Sequence, residues 1–230
     1  MEIWTRYLVT WQFKNKLCGS VPQSPDLIKP WLAARAPKVV PAAVAAGDAP
    51  TLDDLEAEVL ESLPDQGDTE TVDRITLGFQ ANQTGLYLRS GTIKAHLKDC
   101  ARQLMKPLDF KNLRSHVADA VYLEDDEIPI LRTLVNKQAI VTAHDGDFEV
   151  AVHVMTPRGP RNSLKRIRYI DQPAIQFTMR VLLKRLTDQT HRKEDEVLET
   201  IFDYGSVHGY GGERGMGMGR YAWTLTPVVK

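Results

Sequence analysis

Apolar and polar positions alternate at the start of the chain. Glu2–Phe13 (EIWTRYLVTWQF) is rich in Trp, Tyr, Val and Thr and is followed by a Lys-Asn-Lys break, which predicts a first strand. Lys16–Pro50 then carries Pro22, Pro25, Pro30, Pro37, Pro41 and Pro50, a density that excludes a long regular element. Within it, SPDLIKPWLAARA suits a short helix with Ser24 as N-cap and Pro25 at the first position. Leu52, Leu55, Val59, Leu60 and Leu63 recur at helical spacing and predict an acidic amphipathic helix. PDQGDTETVD reads as a loop, and Arg74–Arg89 as strand broken at Gln83–Gly85. Over Ser90–Met105 the period becomes helical again, with Ile93, Leu97, Cys100, Ala101 and Leu104 on one face. Lys94, Lys98 and Arg102 stand four apart on another face. Ser90 or Thr92 is placed to cap this helix, and Gly91 keeps its backbone accessible.

From Val121 to Val154 short alternating runs predict strands (AVYL, IPILR, AIVTA, FEVAVHV), with HDGD (His144–Asp147) as a hairpin turn. TPRGPRNSLKRIRYIDQP reads as a basic, irregular linker, and Ala174–Leu186 returns to strand periodicity. Glu194–Tyr204 predicts a further amphipathic helix with Val197, Leu198 and Ile201 inward, stopping at Gly205. A glycine-rich stretch and a last strand, Arg220–Val229, complete the order. Strand–helix–strands followed by strand–helix–loop–strand predicts an α+β protein with helices on one face of a sheet, of ferredoxin-like or RRM-like design. The expected organisation is one domain with a Pro-rich, acidic insertion at about 16–73 and a hairpin and basic insertion at about 121–170.

Composition and charge narrow the function classes. The 230 residues are 43% hydrophobic and 26% charged, which argues against global disorder. Apolar stretches such as Val39–Ala46 fall short of the roughly 18 residues of a membrane helix. MEIWTRYL lacks a basic region followed by an apolar core, so no signal peptide is expected and the expected location is the cytoplasm. Cys18 and Cys100 alone make neither a disulfide framework nor a thiolate zinc site. A net charge of −1 hides separated blocks. Asp48–Asp73 holds ten acids and no Lys or Arg, Arg89–Arg114 seven bases against Asp99 and Asp109, and Arg158–Arg168 five bases and no acid. Such blocks set local fields that the sum conceals; they either meet a polyanion or face each other within the fold.

The sharpest local feature is His208–Arg220 (HGYGGERGMGMGR), with Gly209, Gly211, Gly212, Gly215, Gly217 and Gly219 beside Arg214 and Arg220. Glycine allows positive φ and close backbone approach, and successive exposed N–H groups cradle phosphate. The stretch is neither a Walker A motif nor a dinucleotide fingerprint, since it precedes a strand. The alternative is a flexible or bulged connection. No G-x-S-x-G, H-E-x-x-H or CxxC pattern occurs. His144, Asp145 and Asp147 read as turn residues rather than ligands, so no metal or cofactor is expected.

A glycine-rich loop between the last helix and last strand, here RGMGMGRY, together with a helix opening SGTIKAHLKDCAR, resembles the RAMP superfamily, the RNA-binding subunits of CRISPR effector complexes. His96 stands where a small residue is usual, and Lys16–Asp73 has no counterpart. The resemblance implies a backbone-type subunit that binds guide RNA alongside copies of itself and other effector subunits, near target nucleic acid, with no membrane partner. It implies phosphate contacts by Lys94, Lys98, Arg102, His208, Arg214 and Arg220, and by the loop backbone at Gly211, Gly212, Gly215, Gly217 and Gly219. Arg158, Arg161, Lys165, Arg166 and Arg168 would lie in an inserted thumb that grips the strand. Some relatives cleave RNA without metal through a histidine, which makes His96 and His208 candidate acid–base groups; others cut through an Asp after the first strand, for which Asp26 is the candidate. Trp4, Tyr7, Trp11, Trp31 and Trp223 either stack bases or fill the core. The remaining alternative is a phage or mobile-element assembly protein that binds no nucleic acid.

Overall fold

In β1 (Trp4–Phe13), Tyr7, Val9, Trp11 and Phe13 are buried while Arg6, Leu8 and Gln12 are exposed. This is the period-two signature of a sheet covered on one face. The structure, a computed structural model, describes residues 3–23, 74–134, 137–156, 159–182, 186 and 193–228. The elements after β1 are β2 (Lys16–Cys18), β3 (Val21–Pro22), β4 (Arg74–Gly78), β5 (Gln80–Asn82), β6 (Gly85–Arg89), α1 (Ser90–Leu104), α2 (Leu113–Ala120), β7 (Val121–Leu123), β8 (Glu127–Leu134) and β9 (Lys137–Ile140). β10 (Gly146–Thr156), β11 (Gly159–Asp171), β12 (Ala174–Leu182), α3 (Glu194–His208) and β13 (Tyr221–Pro227) follow. The protein is α+β, with three helices and two sheets among the described residues.

The chain divides into two compact units. The first comprises Met1–Cys18, Gly85–Ala143 and Ile170–Lys230. Its sheet runs β13-β1-β12-β8-β6, with β7 also on β12 and β9 on β8, and the pairs involving β1, β12 and β8 are antiparallel. In this register Trp11 stands opposite Ile175 on one side and Trp223 on the other. The helices cover the face that carries Trp11, whose ring meets His96 of α1 at 5.6 Å and Phe202 of α3 at 6.2 Å, and stacks on Tyr221 at 4.4 Å. Ile93, Leu97 and Cys100 of α1, Val197, Leu198 and Ile201 of α3, and Phe177 and Met179 of β12 complete this core. Each large side chain buried there contributes about 1.5–3 kcal/mol relative to exposure. Tyr7 Oη donates to Asp195 Oδ1 at 2.5 Å and ties the first turn of α3 to β1.

The second unit comprises Gly19–Thr84 and His144–Tyr169, and its described sheet runs β10-β11-β4-β3. β10 and β11 form a long antiparallel hairpin, and β4 lies parallel to β11. Of residues 121–170, therefore, β7, β8 and β9 belong to the first unit and Gly146–Tyr169 to the second.

Several sequence expectations change. The basic stretch expected as an irregular linker is strand β11, because β10 and β4 supply ladder partners on both sides. His144–Asp147 turns no hairpin, since β9 pairs with β8 and β10 with β11. Neither Ser90 nor Thr92 caps α1; Arg89 occupies the cap position without a side-chain bond. The Thr92 hydroxyl donates instead to the Arg89 carbonyl at 2.7 Å. α3 does not stop at Gly205 but runs to His208, with Gly209 at φ 82° closing it. Helix α2 lies in a stretch to which the sequence pattern assigned no element. The short helix at Ser24, the acidic helix at Leu52–Leu63, Trp31 and Asp26 lie outside the described residues.

Candidate nucleic-acid interface

α1 carries the basic stripe because its apolar residues are committed to the sheet. Lys94 and Lys98 are half-buried and Arg102 is exposed. The Lys94 ammonium lies 4.5 Å over the ring of Tyr122, a cation–π contact. Burial, then the nearby charge of Lys98, pulls the Lys94 pKa down. Tyr122 is 47% exposed and meets Trp4 edge-on at 5.2 Å. The sequence pattern did not single out Tyr122; its signal was an aromatic at an outward position of a short strand.

The glycine loop is pinned to α1 and β2. The Tyr210 hydroxyl and Thr92 Oγ1 lie 2.5 Å apart. Since the Thr92 proton goes to Arg89, Tyr210 is the donor. Burial raises the Tyr210 pKa to about 12. Gly212 N–H donates to the Cys18 carbonyl at 3.0 Å and Gly219 N–H to that of Lys16 at 2.9 Å. Tyr210 donates to the Gly219 carbonyl at 2.9 Å and so closes the loop neck, and Gly217 donates to that of Arg214. A side chain at Gly219 (φ 72°) would run into the Tyr210 backbone, and one at Gly211 (φ 88°) would stand 2.7 Å from the Cys18 carbonyl. These glycines are required by the fold itself. Much of the expected amide cradle is thus spent internally, which corrects the idea of a loop whose backbone is open along its length. Gly215 differs: it is exposed, has no positive φ, and a Cβ there would meet nothing within 4 Å. Gly91, at the start of α1, is equally open.

A charged cluster joins the loop tip to α1. Arg214 NH1 donates to His208 Nε2 at 2.8 Å, so the His208 proton sits on Nδ1. The same guanidinium lies 3.6 Å from Asp99 Oδ2, and Arg102 pairs with Asp99 Oδ1 at 3.0 Å. His208 stacks on Tyr204 with centroids 5.4 Å apart. Burial and then Arg214 lower its pKa, while Asp99 raises it. Asp99 entered the sequence reading only as a charge in the count; its i,i+3 spacing to Arg102 was the available clue. Arg220 is exposed at the start of β13, its guanidinium packed over Gly217.

His96 lies beneath this cluster, 6% exposed. Its Nε2 is 3.0 Å from Tyr221 Oη and 3.7 Å from Cys100 Sγ. Burial first, then Arg214, lowers its pKa to about 3, so it is neutral in the folded protein. Burial likewise pushes the Cys100 thiol up to about 12. Gly205 makes room for this group: a Cβ there would run into Tyr221 Oη and stand 2.9 Å from His96 Nε2. His96 is a packing residue out of reach of a strand, which corrects its candidacy for acid–base work. Tyr7 and Trp11 are buried too and so are closed to stacking, while Trp223 is half-buried, packs on Phe202 at 5.4 Å and donates from Nε1 to Asp203 at 3.0 Å.

In the second unit, Lys165, Arg166 and Arg168 lie on β11. Arg166 pairs with Glu149 at 3.2 Å across the hairpin and lies 4.0 Å from Asp147. Arg168 donates to the buried Gln23 Oε1 at 3.1 Å. These arginines are engaged by their own sheet. Arg158 and the Arg161 side chain lie outside the described residues. Among the described residues no group of three or more His, Cys, Asp or Glu is placed to hold a metal ion, and no helix is long and apolar enough to cross a membrane. No protein-family model matches the chain and no curated protein matches it in sequence.

Proposed function

We propose that this chain is an RNA-binding subunit of a ribonucleoprotein, with guide RNA of the CRISPR type as its ligand and a ferredoxin-like fold as its core. Support for the fold comes from the strand order β13-β1-β12-β8, antiparallel throughout, with α1 and α3 on one face. The observation that carries the function is the row of cations at the loop–helix junction. Lys94, Lys98 and Arg102 lie on α1, and Arg214 is brought to α1 by a loop pinned at Thr92. Cations spaced along one element give affinity for a phosphate backbone without reading sequence, leaving bases free to pair. The open glycines Gly91 and Gly215 suit close approach of that backbone. Copies of the chain side by side along a strand fit this mode of binding.

Purification at low salt followed by sequencing of any bound nucleic acid tests the proposal. A discrete small RNA with repeat-derived ends supports it, and absence of RNA affinity at about 50 mM salt, where phosphate contacts are strong, rejects it. A second reading, metal-independent RNA cleavage, is favoured by one observation: the unprotonated His208 Nε2 at the surface beside Arg214. RNA cutting in EDTA that is lost in His208→Ala with binding retained would select it.

A further inference from the structure

Asp99 sits among the very groups assigned to phosphate. Its Oδ1 is 3.0 Å from Arg102, its Oδ2 is 3.6 Å from Arg214, and His208 Nε2 lies 3.7 Å away. A carboxylate facing two guanidinium groups presents the charge and acceptor pattern of a phosphodiester. The side chains of Asp99, Arg102 and Arg214 are 31%, 57% and 38% exposed, so a ligand reaches all of them and the pairs are weakly held. Arg214 has a 2.8 Å hydrogen bond to His208 that does not involve Asp99, and α1 carries the backbone of Arg102. What Asp99 adds is charge, and that charge opposes a strand.

Resting on the RNA-binding reading, we infer that Asp99 is an internal counter-anion that stands in for a strand phosphate, so that RNA displaces its carboxylate before Arg102 and Arg214 engage. The ligand-free chain thus carries its basic site partly neutralised, which discourages loose polyanion binding. A positioning role for Asp99 makes the opposite prediction, since its removal would then weaken binding.

The test compares wild type, Asp99→Asn, Asp99→Ser and Glu199→Gln. Glu199 is exposed on α3, and its change alters net charge equally. Fluorescence anisotropy with a labelled oligouridylate of about twenty nucleotides is read at several salt concentrations. Both Asp99 variants bind about three- to tenfold tighter at low salt, with a salt slope steeper by about 0.7, and Glu199→Gln stays within about twofold. Asp99 variants that equal wild type, bind more weakly, or gain no more than Glu199→Gln overturn the inference while leaving the RNA reading intact. No RNA binding by any of the chains overturns that reading, and the inference with it.

Discussion

Two glycines in helices respond oppositely to the same substitution. On propensity alone, Gly→Ala within a helix stabilises by about 1 kcal/mol. At Gly205 of α3 the added methyl meets Tyr221 Oη, His96 Nε2 at 2.9 Å and Cys100 Sγ at 3.3 Å, all on buried residues. Overpacking of this kind costs about 1–3 kcal/mol, and breaking the Tyr221–His96 hydrogen bond adds about 1 kcal/mol. The net expectation for Gly205→Ala is a loss of about 1–3 kcal/mol. At this chain length that lowers Tm by about 2–4 °C per kcal/mol. At Gly91 of α1 the methyl meets nothing within 4 Å, so Gly91→Ala is neutral or stabilises by up to about 1 kcal/mol. Urea and thermal unfolding of both variants supply the numbers. Tyr221→Phe removes the obstructing oxygen, so in the double variant the Gly205→Ala cost shrinks, with coupling of about 1 kcal/mol or more. Gly205→Ala at or above wild-type stability, or strict additivity with Tyr221→Phe, would refute the packing account of α3.

The folded pKa of His96, about 3, lies below the ordinary 6.5, so between these values the unfolded chain binds the extra proton. Its contribution is complete above about pH 6.5 and is lost as pH falls, by about 2 kcal/mol at pH 5; denaturant titrations show that loss in wild type and a clearly smaller one in His96→Gln, and equal losses would count against the buried neutral imidazole. Tyr7→Phe deletes the bond to Asp195 and lowers stability by about 1–2 kcal/mol, measured by equilibrium unfolding; no change would mean that α3 is held by apolar packing alone. Arg214→Ala weakens oligoribonucleotide binding about three- to tenfold and flattens the salt slope by about 0.7, the share of one phosphate contact to a single strand, in anisotropy titrations; an unchanged slope would remove Arg214 from the interface.

β1, α1, β12, α3 and β13 of the first unit were legible because period-two and helical patterns there coincide with burial, whereas α2 was not. Tyr7, Val9, Trp11 and Phe13 alternate, and Ile93, Leu97, Cys100 and Leu104 follow a helical face. β11 was not legible, because Pro160 and the run of bases look like a linker until the cross-strand acids Asp147 and Glu149 are in place. Gly205 misled for a related reason. Its lack of a side chain serves a contact with residues from α1 and β13, not a helix end. At the candidate site, charge spacing gave Lys94, Lys98 and Arg102, and the glycine run gave Arg214. The partners of these groups, Asp99, Tyr122 and the Thr92–Tyr210 tie, depend on elements that meet only in the fold.

The central claim is that one row of side chains holds an RNA backbone. The most direct measurement is the salt dependence of single-stranded RNA binding by the wild-type chain. Four phosphate contacts, from Lys94, Lys98, Arg102 and Arg214, predict a slope of log affinity against log salt of about −2.8, at about −0.7 per contact for a single strand. A slope of about −2.5 to −3 is the expected result. A slope near zero, or no binding at about 50 mM salt, would contradict it and leave the glycine loop as a structural turn.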